Sequence, residues 1–144
     1  MDMIVRTWMK SPAHSVKLRD SVAHARELLE EHRVNQLVVV KNGTLMGIVT
    51  DRDVRDASPS LAQELGSFTR RGQRLPSGAD PEHIRVEDVM TPSVQTVTPD
   101  TPIAEAARLL RHERIGSLPV VDGDRVVGII TRSDLLDALI AVAN

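Results

Sequence analysis

The chain has 144 residues, a formal net charge of −2 and no cysteine. Domains typically run about 100–150 residues, so this length suits one compact domain or two small ones that share a core. The lack of cysteine excludes disulfides, thiolate catalysis and zinc–cysteine sites. The near-balanced charge creates no field that would attract nucleic acid, and one Trp and one Phe provide no platform for stacking bases. Nucleic acid is therefore not expected as a partner.

Membrane association is not expected either. The longest apolar runs, such as residues 37–40, are far shorter than the roughly 20 residues that span a bilayer. The first six residues lack the basic-then-apolar order of a signal peptide. The sequence therefore predicts a soluble, cytoplasmic protein.

The chain contains an internal repeat. Residues 5–57 align without a gap on residues 86–138, at a constant offset of 81 positions that superimposes Met9 on Met90 and Asp53 on Asp134. A fixed period of this kind indicates duplicated structural units. We therefore predict a first repeat over 1–57, a connecting segment over 58–85 and a second repeat over 86–144.

Each repeat is predicted to form a strand, a helix, a hairpin and a second helix. In the second repeat, residues 94–97 alternate apolar and polar as a half-buried strand does, and Thr101 and Pro102 provide an N-cap and a first helical residue. In the first repeat, Asp20 or Ser21 caps the equivalent helix. Glycine-containing turns at 42–43 and 123–124 join the hairpin strands, because such turns need residues that tolerate positive φ.

The repeats are expected to fold together. One repeat has only 53 aligned residues and presents an apolar strand face that it cannot cover alone. We predict an α/β (α+β) fold in which two β-α-β-β-α repeats pack by pseudo-twofold symmetry into one intramolecular module with two equivalent clefts. The last helix, near residues 135–142, has almost no polar face, which indicates either packing within the chain or a homodimer interface.

The return strand of each hairpin ends at a threonine that is followed three residues later by an aspartate. These pairs are Thr50 with Asp53 and Thr131 with Asp134. Unpaired N–H groups at the start of a helix suit a phosphate, and a carboxylate can accept hydrogen bonds from both ribose hydroxyls. The same spacing also fits a helix-capping box, and both roles can hold at once. The neighbouring cations that could pair with phosphate are Arg52 and Arg132.

These motifs resemble the paired cystathionine-β-synthase (CBS) domain, or Bateman module. The resemblance rests on GIVTDRD at 47–53, GIITRSD at 128–134, VEDVMTP at 86–92 and IGSLPVVD at 115–122. It implies binding of adenosine-containing ligands (AMP, ADP, ATP or S-adenosylmethionine) in clefts between the repeats, with no chemistry done on the ligand. It also implies pairing of modules into flat dimers. The ligand-binding residues carried over are Val16, Gln36, Leu37, Val38, Thr50, Arg52, Asp53, Val97, Gly116, Ser117, Leu118, Pro119, Thr131, Arg132 and Asp134.

Within that set, Val16 or Val97 and the residues at 37–38 or 118–119 would form the apolar slot for adenine. Some family members place two cations just before the Leu-Pro step, whereas this chain has uncharged residues at 35–36 and 116–117. Tight binding of several phosphates is therefore in question. Core packing is the competing explanation for the aliphatic residues of the slot.

No catalytic function is predicted, and no cofactor or metal is expected. The chain has no Walker lysine, no dinucleotide fingerprint and no His-Glu-x-x-His. The leading hypothesis is a regulatory, ligand-sensing module that forms a homodimer and acts on an unidentified partner protein. The alternative is an interaction or dimerisation module with vestigial clefts. For the three arginines at 70, 71 and 74 the sequence leaves two alternatives: they lie in a solvated loop, or they reach over a cleft to an anionic ligand.

Overall fold

The computed structural model describes residues 2–57 and 82–144 and confirms the α/β class. The elements are α1 (Val5–Trp8), β1 (Ser15–Lys17), α2 (Val22–His32), β2 (Gln36–Lys41), β3 (Thr44–Thr50), α3 (Asp51–Asp56), α4 (Val86–Val89), β4 (Thr91–Pro92), α5 (Ile103–Glu113), β5 (Ser117–Asp122), β6 (Arg125–Thr131) and α6 (Arg132–Ala143). The arginines at 70, 71 and 74 lie outside the described residues. Within the described ranges, no helix has the length and apolar character needed to cross a bilayer.

The chain forms two compact units whose boundaries differ from those of the sequence repeats. We call His14–Ser93 the central unit, and residues 1–13 together with 94–144 the terminal unit. Each unit contains the helix–hairpin–helix of one repeat and the short first helix of the other. The boundaries at 57 and 86, which separate the two sequence repeats from the connecting segment, stay a prediction.

Helices α1 and α4, which each lie in the unit formed by the other repeat, are held in place by equivalent hydrogen bonds. In the terminal unit, the Val5 N–H donates to the Thr101 carbonyl at 2.8 Å, and the Ile103 N–H donates to the Met3 carbonyl at 2.9 Å. In the central unit, the N–H groups of Val86 and Val22 make the corresponding bonds, at 2.8 Å each, to the carbonyls of Asp20 and Ile84. The short helices α1 and α4 were not predicted from the sequence, because their stability depends on these long-range bonds.

Each unit has its own apolar core. In the central unit the core joins α2, the hairpin of β2 and β3, and α4, with Val22, Leu37 and Val86 among its fully buried members. In the terminal unit, the matching positions are occupied by Ile103, Leu118 and Val5, and all three are buried.

The strand predicted at 94–97 does not form, and this prediction was wrong. Its counterpart β1 pairs in parallel with β2, and the Val38 N–H donates to the His14 carbonyl at 3.1 Å. The residue equivalent to Val38 is Pro119, which has no N–H to donate. Pairing in the terminal unit is reduced to a single bridge between Val97 and Val120.

The helix cap predicted at Thr101 and the first helical position predicted for Pro102 were also wrong, whereas the cap at Ser21 and the glycine turns are confirmed. Helix α5 begins at Ile103 after an uncapped Pro102, and the Thr101 hydroxyl oxygen instead accepts a bond from the Thr98 N–H at 3.0 Å. The hydroxyl oxygen of Ser21 does cap α2, accepting from the His24 N–H at 3.1 Å. Gly43 and Gly123 adopt the positive φ angles that the hairpin turns require.

Candidate functional site

The threonine–aspartate pair of the central unit forms a complete capping box. The Thr50 hydroxyl oxygen accepts from the Asp53 N–H at 3.1 Å, and the Asp53 carboxylate accepts from the Thr50 N–H at 2.9 Å. This arrangement ends β3 and starts α3 within one residue, because the backbone N–H groups of Thr50 and Asp53 both find side-chain acceptors. The capping explanation is therefore confirmed for this pair.

The equivalent pair of the terminal unit forms the same box and gains a cation. Oδ2 of Asp134 accepts from the Thr131 N–H at 2.9 Å and from the Thr131 hydroxyl at 3.1 Å. Its other oxygen, Oδ1, lies 3.0 Å from Nζ of Lys10. The carboxylate is only 1% exposed, whereas the Lys10 side chain is 68% exposed. A buried anion is thus neutralised by a lysine that remains accessible to solvent.

The backbone fixes the position of Lys10. The Lys10 N–H donates to the Ile129 carbonyl and the Ile129 N–H donates back to the Lys10 carbonyl, both at 2.9 Å. This two-way pairing holds the lysine near the end of β6, where its side chain reaches the start of α6. The central unit has Thr91 at the equivalent position, so only the terminal junction has a lysine at that position.

The hydrogen bond and the charge of Asp134 raise the pKa of Lys10 above its ordinary 10.5, and the charge of Asp137 adds to this effect. Because the folded-state pKa is raised, the contribution of the lysine's charge to stability is fully present at neutral pH. That contribution is lost as the pH rises through the raised value. Lys10 is therefore a permanent cation at neutral pH.

The arginines that follow each threonine have exposed side chains. Arg52 and Arg132 occupy the start of α3 and the start of α6, respectively. The terminal junction therefore carries two accessible cations, Lys10 and Arg132, whereas the central junction has Arg52. Charge distinguishes the two junctions even though their capping geometry is the same.

The apolar residues predicted to form an adenine slot are all buried. Val16 and Leu37 belong to the core of the central unit, and Val97 and Leu118 to that of the terminal unit. Val38 is fully buried, and Pro119 is buried. Core packing thus accounts for these side chains in the structure, and their role in binding stays a prediction.

The polar residues predicted beside that slot differ in accessibility. Ser117 is 8% exposed and Gln36 is partly buried. Gly116 is exposed, and a Cβ added there would meet no atom within 4 Å. Among the described residues, no three His, Asp or Glu side chains are placed to hold a metal ion.

Lys10 is the site residue that sequence reasoning missed. It lies 124 positions before Asp134, and the repeat alignment pairs it with a threonine, so similarity between repeats did not identify it. The available signal was the alignment of Met9 with Met90, which places the following residue at the same structural position in each repeat. The difference between Lys10 and Thr91 is visible in the sequence, but only the fold shows that Lys10 contacts Asp134.

Known proteins with similar sequences contain CBS domains. A CBS domain-containing protein of Dictyostelium discoideum is 35% identical over 145 residues, covering 99% of this chain and 94% of the relative. The chloroplastic CBS domain-containing protein CBSX2 of Arabidopsis thaliana is 33% identical over 141 residues, and this chain spans 59% of its length.

Solved structures are similar over the whole chain. The crystal structure of CBSX2 in complex with AMP matches with a TM-score of 0.78 and 32% identity, covering 98% of each chain. The CBS domain pair of protein MJ0100, in complex with 5-methylthioadenosine and S-adenosylmethionine, matches with a TM-score of 0.77 and 25% identity, covering 100% of each chain.

The CBS domain family itself matches the chain twice, over residues 5–60 and 86–141. Each match contains one capping-box junction and the hairpin that precedes it. The chain therefore belongs to the CBS-domain family and carries a tandem pair of CBS domains.

Proposed function

We propose that this tandem CBS pair is a non-catalytic regulatory module that binds an adenosine-containing nucleotide at its threonine–aspartate junctions. AMP, ADP, ATP and S-adenosylmethionine are the candidate ligands. The observation that carries the proposal is the duplicated junction, in which a buried aspartate, a threonine hydroxyl and a helix start are brought together. The AMP complex of CBSX2 and the S-adenosylmethionine complex of MJ0100 support this ligand class.

The terminal junction is the better candidate for a ligand with a phosphate. Lys10 and Arg132 add two positive charges there, and each has an accessible side chain. Charge-assisted hydrogen bonds to phosphate are roughly twice as strong as neutral ones. The central junction, with Arg52 and Thr91, is more suitable for a ligand of lower negative charge.

Ligand binding at the terminal junction requires the Lys10–Asp134 pair to rearrange. Asp134 is buried, and its Oδ1 already contacts Nζ of Lys10 at 3.0 Å. A ribose hydroxyl that donates to Oδ1 would share or replace the lysine as its partner. The displaced ammonium group would then be free to contact the phosphate of the same ligand. The lysine would thus exchange one anionic partner for another.

A thermal-shift measurement with AMP, ADP, ATP, S-adenosylmethionine and adenosine tests the proposal. A ligand at about 100 times its dissociation constant stabilises the folded state by about 2.7 kcal/mol, which gives a visible rise in the unfolding temperature. We expect a rise with at least one phosphorylated ligand and a smaller one with adenosine. If none of the five compounds shifts the transition, the proposal is wrong.

The matched variants are Lys10→Gln and Lys41→Gln. Both remove one exposed lysine, but Lys41 is at the end of β2, in the hairpin of the central unit. We expect Lys10→Gln to reduce the shift produced by AMP while leaving the smaller shift with adenosine in place, because the phosphate contact is the one contact that the ligand loses. Equal effects of the two substitutions on the AMP shift would show that Lys10 does not contact the ligand.

A second candidate function, homodimerisation, is favoured by one observation. Helix α6 exposes four large apolar side chains, at 57–61% of their area: Leu136, Leu139, Ile140 and Val142. A contiguous apolar patch of this kind marks an interaction surface in most proteins. We propose that a second copy of the chain covers it.

Sedimentation of the purified protein tests the dimer. The double substitution Leu139→Asp and Ile140→Asp is expected to shift the protein to a monomer, because two charges would be buried without partners at the interface. Both side chains are exposed in the single chain, so folding is expected to persist, as circular dichroism would show. An unchanged oligomeric state in the double variant would exclude this face.

A further inference from the structure

A groove lies between helices α2 and α3 of the central unit. Its volume is about 360 Å³, within the roughly 300–1,000 Å³ that is typical of small-molecule sites. Its lining residues all belong to the central unit: Arg26, Leu29, Glu30, Asp51, Val54 and Arg55. The groove therefore has the size of a site for a small ligand.

The groove and the threonine–aspartate junction use different sides of α3. Asp51, Val54 and Arg55 are spaced at i, i+3 and i+4, which places them on one face of the helix. The junction instead uses Thr50 and Asp53, whose carboxylate accepts from the Thr50 N–H at the helix start. A ligand in the groove would therefore be held by different side chains from those that would hold a nucleotide at the junction.

The floor of the groove is apolar. Leu29 of α2 and Val54 of α3 are each 6% exposed and belong to the core of the central unit. The small exposed part of each side chain lines the groove. An aliphatic group placed on this floor would remove apolar surface from water on both sides of the contact, which favours binding.

Charged side chains of both signs surround this floor. On α2, Nε of Arg26 lies 3.4 Å from Oε1 of Glu30, so these two charges compensate each other. On α3, Asp51 and Arg55 are four residues apart, a spacing at which ion pairs form, yet neither has an ion-pair partner among the described residues. One anion and one cation on the same helix face are thus available to a ligand.

The second repeat lacks this charge pattern. At the 81-residue offset, the two anions become cations and the two cations become apolar: Glu30 aligns with Arg111, Asp51 with Arg132, Arg26 with Ala107 and Arg55 with Leu136. The floor stays apolar, with Leu110 and Leu135 at the equivalent positions. The same pair of helices therefore forms without the mixed charges, so the fold does not require them.

From this arrangement we propose that the groove of the central unit binds a free α-amino acid with an aliphatic side chain. Arg55 donates to the carboxylate of the ligand, and Asp51 accepts from its ammonium group. The aliphatic side chain lies on Leu29 and Val54. This inference goes beyond the nucleotide proposed above, because it assigns a second class of ligand to a separate site.

A zwitterion matches the groove better than an ion of either sign. A carboxylate gains charge-assisted hydrogen bonds from Arg55, but a ligand with no positive charge would lie against the anions of Asp51 and Glu30. An amine without a carboxylate would likewise lie against Arg26 and Arg55. Like charges placed together disfavour both, whereas an amino acid offers one charge to each free partner.

Calorimetric titration of the protein with L-valine, L-leucine and L-isoleucine tests the proposal. Isocaproate lacks the ammonium group of leucine and isoamylamine lacks its carboxylate, so each analogue removes one of the two charge contacts. We expect saturable binding of at least one amino acid, and at least about tenfold weaker binding of both analogues than of leucine. Absence of binding by all three amino acids, or equal affinity for leucine and its two analogues, would overturn the proposal.

Substitutions in the groove give a second measurement. Asp51→Asn and Arg55→Gln each neutralise one charge contact and are expected to weaken leucine binding at least about tenfold. The matched controls, Glu31→Gln and Arg19→Gln, neutralise exposed charges outside the groove and should leave the affinity unchanged. Equal affinities in all four variants would contradict the assigned contacts.

Asp51→Arg provides a variant with altered preference. The second repeat carries Arg132 at the same helical position, which shows that an arginine is compatible with this start of a helix. Because the ammonium acceptor is replaced by a second guanidinium, we expect the variant to lose leucine and to bind isocaproate at least about tenfold more tightly than the wild type does. Partial unfolding would weaken both ligands and could not reverse the preference. A variant that still prefers leucine would show that Asp51 does not contact the ligand.

Two further outcomes separate this site from the nucleotide site and from an interface. Arg55→Gln should keep the thermal shift with AMP, and leucine binding without any AMP shift would support this site while refuting the nucleotide proposal. Displacement of leucine by AMP would assign the groove to the nucleotide and overturn the inference. A changed oligomeric state when Asp51→Asn and Arg55→Gln are combined, seen by sedimentation, would assign the groove to a contact between copies and overturn it as well.

Discussion

Replacement of Gly47 by alanine is expected to lower the free energy of unfolding by about 2 kcal/mol, within the range of about 1–3 kcal/mol seen for overpacked sites. A Cβ at this position would lie 2.4 Å from the carbonyl oxygen of Thr91 and 3.0 Å from the sulfur of Met90. Strand β4 pairs with β3 at this point, with Gly47 opposite Pro92. The oxygen that would clash belongs to the backbone, so it cannot rotate away as a side chain would.

Gly128→Ala is expected to have a similar cost in the terminal unit. Its Cβ would lie 2.7 Å from the carbonyl oxygen of Lys10 and 2.9 Å from the sulfur of Met9. The substitution would also displace the backbone that positions Lys10 beside Asp134. We therefore expect Gly128→Ala to reduce nucleotide binding as well as stability.

Gly116→Ala is the matched control for both substitutions, since a Cβ there meets nothing within 4 Å. Urea unfolding followed by circular dichroism measures all three variants. We expect midpoints well below that of the wild type for Gly47→Ala and Gly128→Ala, and a midpoint near or above it for Gly116→Ala. Three equal midpoints would show that the close strand approach at Gly47 and Gly128 is not rigid.

Asp134→Ala is expected to destabilise the protein by about 2 kcal/mol, the upper end of what loss of a helix cap costs. The substitution removes the acceptor of the Thr131 N–H at the start of α6, and it leaves Lys10 without its carboxylate partner. Asp134→Asn retains an oxygen that can accept from the Thr131 N–H but removes the charge. We expect its stability to lie between those of the wild type and the alanine variant.

Chemical unfolding at pH 8 and above pH 10.5 separates the contribution of the helix cap from that of the Lys10–Asp134 ion pair. The gap between wild type and Asp134→Asn should narrow as the pH rises through the raised pKa of Lys10, because the lysine then loses its charge. Asp137→Ala, an exposed acidic residue on the same helix, is the control and should change stability by about 0.5 kcal/mol or less. An Asp134→Ala variant as stable as Asp137→Ala would contradict the capping role.

The hairpins, the cap of α2 and both capping boxes were predictable from the sequence, whereas the strand at 94–97 and the cap at Thr101 were not. Glycine in the turns, serine before α2 and threonine three residues before aspartate all act through hydrogen bonds or φ angles that involve a few neighbouring residues. Such contacts do not depend on the rest of the chain, so the hairpins and both capping boxes appear where the sequence places them. The constant offset between Met9 and Met90 likewise established the duplication.

The tertiary structure decided the features that depend on distant residues. It placed residues 3–9 against the second repeat and 84–90 against the first, through backbone bonds that any sequence can make. It brought Lys10 to Asp134, and it ended the pairing at Val97 because Pro119 has no N–H group to donate. It also left one face of α6 exposed. A repeat pattern specifies which segments are equivalent, but the energy that selects their partners comes from long-range contacts, and only the folded chain contains them.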